Sequence, residues 1–137
     1  MELYELPFAR IIVLRDDIAE VIINEGVEMD VAMVDQYHDF LLSHLRPPFS
    51  LLINKINSYT YDFDAQMQLA TLKEINVMAV VAYTRITTLS TETLASYPRT
   101  VKWNLRIFSN RNDAMNWLVS QQEKISHSSL KTINGGK

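Results

Sequence analysis

The chain has 137 residues, 47% of them apolar and 21% charged, with a formal net charge of -3 and no cysteine. That length fits one domain with a single sizeable core, and the missing cysteines exclude disulfides, thiolate metal sites and thiol catalysis. The weakly acidic balance gives no basic footprint for a nucleic-acid partner, and no apolar run reaches the roughly 18 residues of a membrane span. Met1 to Glu5 is acidic and lacks the basic-then-apolar pattern of a secretory leader, so a cytoplasmic location is expected.

Arg10 to Leu14 and Ile18 to Asn24 are two β-branched-rich runs divided by Asp16 and Asp17. That arrangement predicts an antiparallel hairpin. Asp30 is placed to cap a first helix, whose apolar stripe runs through Val34, Tyr37 or His38, Leu41 and Leu45, flanked by Val31 and Phe40. Pro47 and Pro48 end it, since proline disfavours the helical region in the residue before it.

The stretch from Leu51 to Ile75 organises the rest. It reads as a strand at Leu51 to Ile53, a polar and aromatic turn from Asn54 to Asp64, and a helix over Ala65 to Glu74. Val77 to Tyr83 is apolar at every position, as in a central parallel strand buried on both sides. A weak helix is expected near Ser90 to Ser96, in a segment crowded with Thr and Ser. Val101 to Phe108 alternates, with Val101, Trp103, Leu105 and Ile107 against Lys102, Asn104 and Arg106. That is an edge strand or one with an exposed face. Ser109 and Asn110 cap a last helix, with Ala114, Trp117, Leu118, Gln121 and Ile125 on one stripe. A single domain over 1–125 and a polar, mobile tail over 126–137 are expected. The order β-β-α-β-α-β-α-β-α predicts an α/β fold on a mixed, mostly parallel sheet of about five strands.

Few residues offer chemistry. Asp62 and Asp64 are either a carboxylate pair or, more simply, an N-cap and a first-turn acid. His38 and His44 are six residues apart on one helix, so at about 100° per residue they lie on different faces and do not form a metal pair. His127 stands in the tail. Three glycines, at 26, 135 and 136, leave no phosphate-binding loop. No catalytic residue, metal or cofactor is expected. Tyr59, Tyr61 and Phe63, with Tyr83 after the next strand, gather at one rim if the strands are parallel. Such a set can line an apolar pocket, form a patch for a protein partner, or cap the core.

The closing segment from Leu105 to Leu118 ends in a Phe, a polar cap, an Ala and a Trp-Leu pair. With the element order and the turn Ser58 to Ala65, it resembles small bacterial proteins of the SpoIIAA-like superfamily, which holds the anti-sigma-factor antagonist (STAS) and lipid-binding CRAL-TRIO domains. In the antagonists the turn reads Asp-Ser-Ser-Gly, with the second serine phosphorylated. Here Asp62 matches the Asp, Phe63 and Asp64 replace the serines, and Ala65 replaces the glycine. The resemblance implies a non-enzymatic regulatory or protein-interaction module without its phosphoswitch, acting through Ser58, Tyr59, Tyr61, Asp62, Phe63, Asp64 and Tyr83. Its lipid-binding branch implies instead a carrier or sensor of a small apolar ligand such as a fatty acyl lipid. Helices packed largely on one side of the sheet would leave an apolar face, which a homodimer would cover.

Overall fold

The computed structural model describes the backbone of residues 1–99 and 101–135 and the side chains as far as Ile125, Thr100 excepted. The elements are β1 (Glu2–Leu6), β2 (Ala9–Arg15), β3 (Ile18–Ile23), β4 (Glu28–Met29), α1 (Val31–His44), β5 (Phe49–Lys55), β6 (Thr60–Tyr61), α2 (Phe63–Gln68), β7 (Ile75–Ala82), α3 (Arg85–Ala95), β8 (Leu105–Phe108) and α4 (Arg111–Gly135). The expected mobility of 126–137, and His127 with it, falls outside the described side chains.

The fold is α/β on a mixed sheet, with six strands in the order β1-β2-β3-β5-β7-β8. The expected hairpin is β2 and β3, and β1 adds a strand the sequence reading did not anticipate, pairing Leu3 with Ile12 and Tyr4 with Ile11. From β3 onward every pairing is parallel. The order never reverses, so each right-handed crossover lands on the same side and α1, α2 and α3 share one face. On that face Ile11, Val21, Leu51 and Met78 pack against Val34, Tyr37, Leu41 and Ala65.

The other face is not bare. α4 folds back across it, and Ala114 and Leu118 pack on Ile18, Leu52, Val77, Ala79 and Val81. The single-sided helix packing expected from the resemblance therefore does not hold, and the apolar face assigned to a homodimer is largely covered by the chain's own last helix. Leu3, Ile12, Leu14 and Ile22 remain partly or largely open on the hairpin.

Polar bonds fix α4 in place. Gln122 donates to Asp17 (3.0 Å) and to the Pro48 carbonyl (3.0 Å), and it accepts from Ser50 and Asn76. Arg111 donates to both oxygens of Glu20 at 2.8–3.2 Å. Glu20 also accepts from Asn54 at 2.8 Å.

Several boundaries differ from expectation. β5 is Phe49–Lys55, so Asn54 and Lys55 belong to the strand rather than to the turn, and β7 is Ile75–Ala82, which leaves Tyr83 just past its end. α2 is Phe63–Gln68 rather than Ala65 to Glu74, because Ala70 adopts the left-handed region (φ 55°), which ends a helix. α3 starts at Arg85, where the Thr84 hydroxyl accepts from the Thr87 N–H (3.1 Å). β8 is confined to Leu105–Phe108 at the sheet edge. There Lys102, Asn104 and Arg106 are exposed as the alternation required.

Candidate functional site

The segment after β5 is held by an unusual anchor, the two-stranded parallel sheet of β4 and β6, which pairs Glu28 with Thr60 and Met29 with Tyr61. The Thr60 N–H donates to Val27 O and the Asp62 N–H to Met29 O, each at 2.9 Å. Gly26 begins this track at φ 79°, a backbone region that glycine enters without the Cβ clash of other residues, and its N–H donates to Ser58 O at 2.8 Å. An extended segment alternates its side chains. Ser58 and Thr60 therefore face solvent, while Tyr59 and Tyr61 turn under the sheet's first face.

Tyr59 and Tyr61 meet edge to face, ring centroids 5.6 Å apart, against Tyr37 of α1, Leu69 and Ala70 after α2, and Trp103 before β8. Together with Lys55 they border a narrow internal cavity of about 30 Å³, space for a water or two. Two buried contacts shape its wall. His38 Nε2 accepts from the Ala70 N–H (3.1 Å), and the Trp103 indole donates to Leu69 O (2.9 Å). Arg99 lies over the Trp103 ring at 3.8 Å and donates to Gln66 O.

Lys55 ends β5. Its neighbour Asn54 points to the α4 face, so Lys55 points to the α1–α3 face. Its Nζ donates to Thr91 Oγ1 at 2.9 Å and lies 5.8 Å from the Tyr59 ring centre. Among the described residues no carboxylate pairs with it. Burial therefore lowers the ammonium to about 8. Burial likewise pushes the Tyr59 hydroxyl up to about 12, with the Tyr61 hydroxyl acting more weakly the other way. Tyr37 and Tyr61 are raised chiefly by burial too, so all three phenols are neutral at pH 7. The Tyr59 hydroxyl has almost no accessible surface and forms no hydrogen bond of good geometry among the described residues, although the neighbouring Tyr61 hydroxyl acts on its proton.

Outside this cavity an open groove of about 670 Å³ runs between the Asn57–Tyr61 turn and α3. Lys55, Tyr59, Tyr61 and Leu94 line both spaces. One groove wall is polar, with Asn57, Ser58 and Thr60. The other is the α3 surface, where Ile86 is 77% and Leu89 51% exposed. Of the eleven residues of α3 only Thr91 is fully buried.

The residues expected at a common rim thus divide. Tyr59 and Tyr61 enter the cavity, and Ser58 lies on the groove. Asp62 caps α2, accepting from the Ala65 N–H at 2.8 Å, and Asp64 is an exposed first-turn acid. Phe63 is 72% exposed. Tyr83 goes to the other side of the sheet, where its hydroxyl donates to Asn54 Oδ1 at 2.8 Å, within the Glu20–Arg111 network. His38 and His44 take structural places, the second stacked on Phe40 with ring centres 4.0 Å apart. Sequence reasoning missed Lys55 and Thr91. The signal was slight, a lone lysine at the end of an apolar strand. Compared with protein-family models, curated proteins and solved structures, the chain matches none, and the geometry alone carries the functional reading. Among the described residues no helix is long and apolar enough to cross a membrane.

Proposed function

We propose that this chain binds a small, mainly apolar molecule in the groove between the Asn57–Tyr61 turn and α3, with one end of the ligand reaching the tyrosine-lined cavity. The observation that carries this reading is the wall that the two spaces share, formed by Lys55, Tyr59, Tyr61 and Leu94. A groove of about 670 Å³ has the size of a small-molecule site. Its α3 wall sets Ile86, Leu89 and Leu94 among Thr87, Ser90 and Thr93, an apolar strip with polar groups beside it. The cavity by itself holds no acyl chain, so the groove takes the bulk of the ligand. This is the carrier or sensor branch of the SpoIIAA-like resemblance. Asp62 and Asp64 offer no support for an enzyme: one is spent on a helix cap and the other faces solvent.

Native mass spectrometry of the purified chain tests the proposal. A few hundred daltons of retained mass, lost on denaturation, is the expected result. In a Trp117→Phe background, Trp103 emission should also change when an apolar ligand is added, since Trp103 borders the cavity. No retained mass and no change in Trp103 emission with alkyl ligands of several lengths would remove the proposal.

A second reading draws on one feature, the exposed Phe63 beside Asp64 at the start of α2. An aromatic ring in solvent next to a fixed negative charge suits a regulatory module that docks a protein partner. Phe63→Ala tests it, because Phe63 can be removed without disturbing the core. Tyr61 is buried, so its truncation would confuse docking with folding.

A further inference from the structure

Lys55 brings a positive charge to a place where nothing in the described chain balances it. An ammonium carries three donors. Thr91 takes one, at 2.9 Å, and the Thr91 hydroxyl spends its own proton on Thr87 O at 2.8 Å. The Lys55 side chain is half-buried and borders both the cavity and the open groove. A half-buried cation without a counter-ion among the described residues is costly. A group that carries one negative charge and accepts hydrogen bonds relieves that cost.

We propose that Lys55 is the anchor for a ligand carboxylate, and that the ligand is a single-chain amphiphile whose carboxylate meets Lys55 at the groove's inner end while its alkyl chain lies along Ile86, Leu89 and Leu94 of α3. This rests on the binding reading above and names its ligand class. One lysine matches one charge. No second lysine or arginine is in the lining of either space, and Arg99, beside Trp103, is committed to the Gln66 and Tyr97 carbonyls and to the Trp103 ring, so a doubly charged phosphate would bring a negative charge with no partner among the described residues. The alkyl chain in turn covers Ile86 and Leu89, which an unliganded α3 leaves in water.

The test compares dodecanoate, dodecanol and dodecyl phosphate by calorimetry, below their aggregation concentrations, on wild type, Lys55→Met and Lys55→Gln. Wild type should bind dodecanoate at least tenfold more tightly than dodecanol, and both variants should lose that preference while still binding dodecanol. Carbon-13 at the carboxyl of bound dodecanoate should titrate below free dodecanoate on wild type, a readout that packing alone would not move. Thermal unfolding of each variant controls for folding, and the glutamine variant serves if the methionine one repacks the cavity. Equal affinity for dodecanoate and dodecanol would overturn the anchor and leave the binding reading intact. A preference for dodecyl phosphate, or a carboxylate preference surviving in both variants, would also overturn it. Binding of none of the three would overturn both.

Discussion

Burial lowers the Lys55 ammonium to about 8, and among the described residues its one hydrogen bond, to a neutral hydroxyl, offers no charge to offset that. The folded value lies below the unfolded one near 10.5, so the folded state holds this proton less tightly. The penalty is full below about pH 8 and fades as pH rises towards 10.5. Lys55→Met should therefore stabilise the free protein by about 1–2 kcal/mol at pH 7, with the gain shrinking by pH 10, as thermal unfolding at several pH values would show. His38 works in the same sense at lower pH. Burial lowers it, against the pull of Asp35 and Asp39, and the neutral ring accepts the Ala70 N–H. Its contribution is full above the unfolded value of about 6.5 and is lost as pH falls through the lowered folded value. At pH 7 His38→Ala should cost about 1–3 kcal/mol in urea unfolding, the cost of leaving the Ala70 donor buried without an acceptor. The gap to wild type should narrow as the solution is acidified.

At the level of elements, what the chain revealed in advance depended on local pattern. The hairpin, the Asp30 cap of α1, the doubly buried β7 and the Asn110 cap of α4 each announce themselves within a few residues, and each stands where the pattern put it. β1 did not, because Leu3 lies on a largely open face and Glu2 and Glu5 make the segment look like an acidic terminus. α3 was placed too late because its helix propensity is poor throughout, and the capping hydroxyl of Thr84 outweighs it. The site was half legible. Tyr59 and Tyr61 stand out in the sequence, but that they meet Lys55 and Thr91, and that Tyr83 leaves for the other face, depends on strand alternation and on which helix covers which side. Glu20 escaped notice for the same reason, as an acid in a β-branched run. Burial works to raise its carboxyl, but hydrogen bonds from Arg111 and Asn54 outweigh that and hold it below the usual range. Arg111→Met should leave this carboxylate without its cation and destabilise the fold by about 2–4 kcal/mol, somewhat less than for a fully buried pair because Arg111 is 41% exposed. Adding Glu20→Met should recover much of the loss in a double-mutant cycle. The wild-type advantage is present above the unfolded carboxylate value of about 4.5 and should vanish as pH falls through the lowered folded one.

Over the whole molecule, the two faces of the sheet divide the labour. α1 and α2 close the first face tightly, α3 closes it loosely beside the groove, and α4 covers the second face from β3 to β7 with Asp17, Glu20, Ser50 and Gln122 inside, leaving part of the hairpin open. The unbroken strand order also has a kinetic side. Each parallel strand pairs with one made only 26 to 32 residues earlier, as in Phe49 with Ile75 or Ile18 with Ser50. The chain can lay its sheet down in the order of synthesis, each addition closing a short loop. α4 alone reaches far back, from Arg111 to Glu20 across 91 residues and from Gln122 to Asp17 across 105. Until it docks, two acids in the first hairpin lack these partners and the second face is open. A rate-limiting step that precedes this docking would leave Gln122→Ala and Leu118→Ala with φ-values near zero, faster unfolding at almost unchanged folding rate, in denaturant chevrons. A nascent chain would then carry a finished sheet with one uncovered side until its last helix left the ribosome, which makes that interval the time when it is most exposed to aggregation.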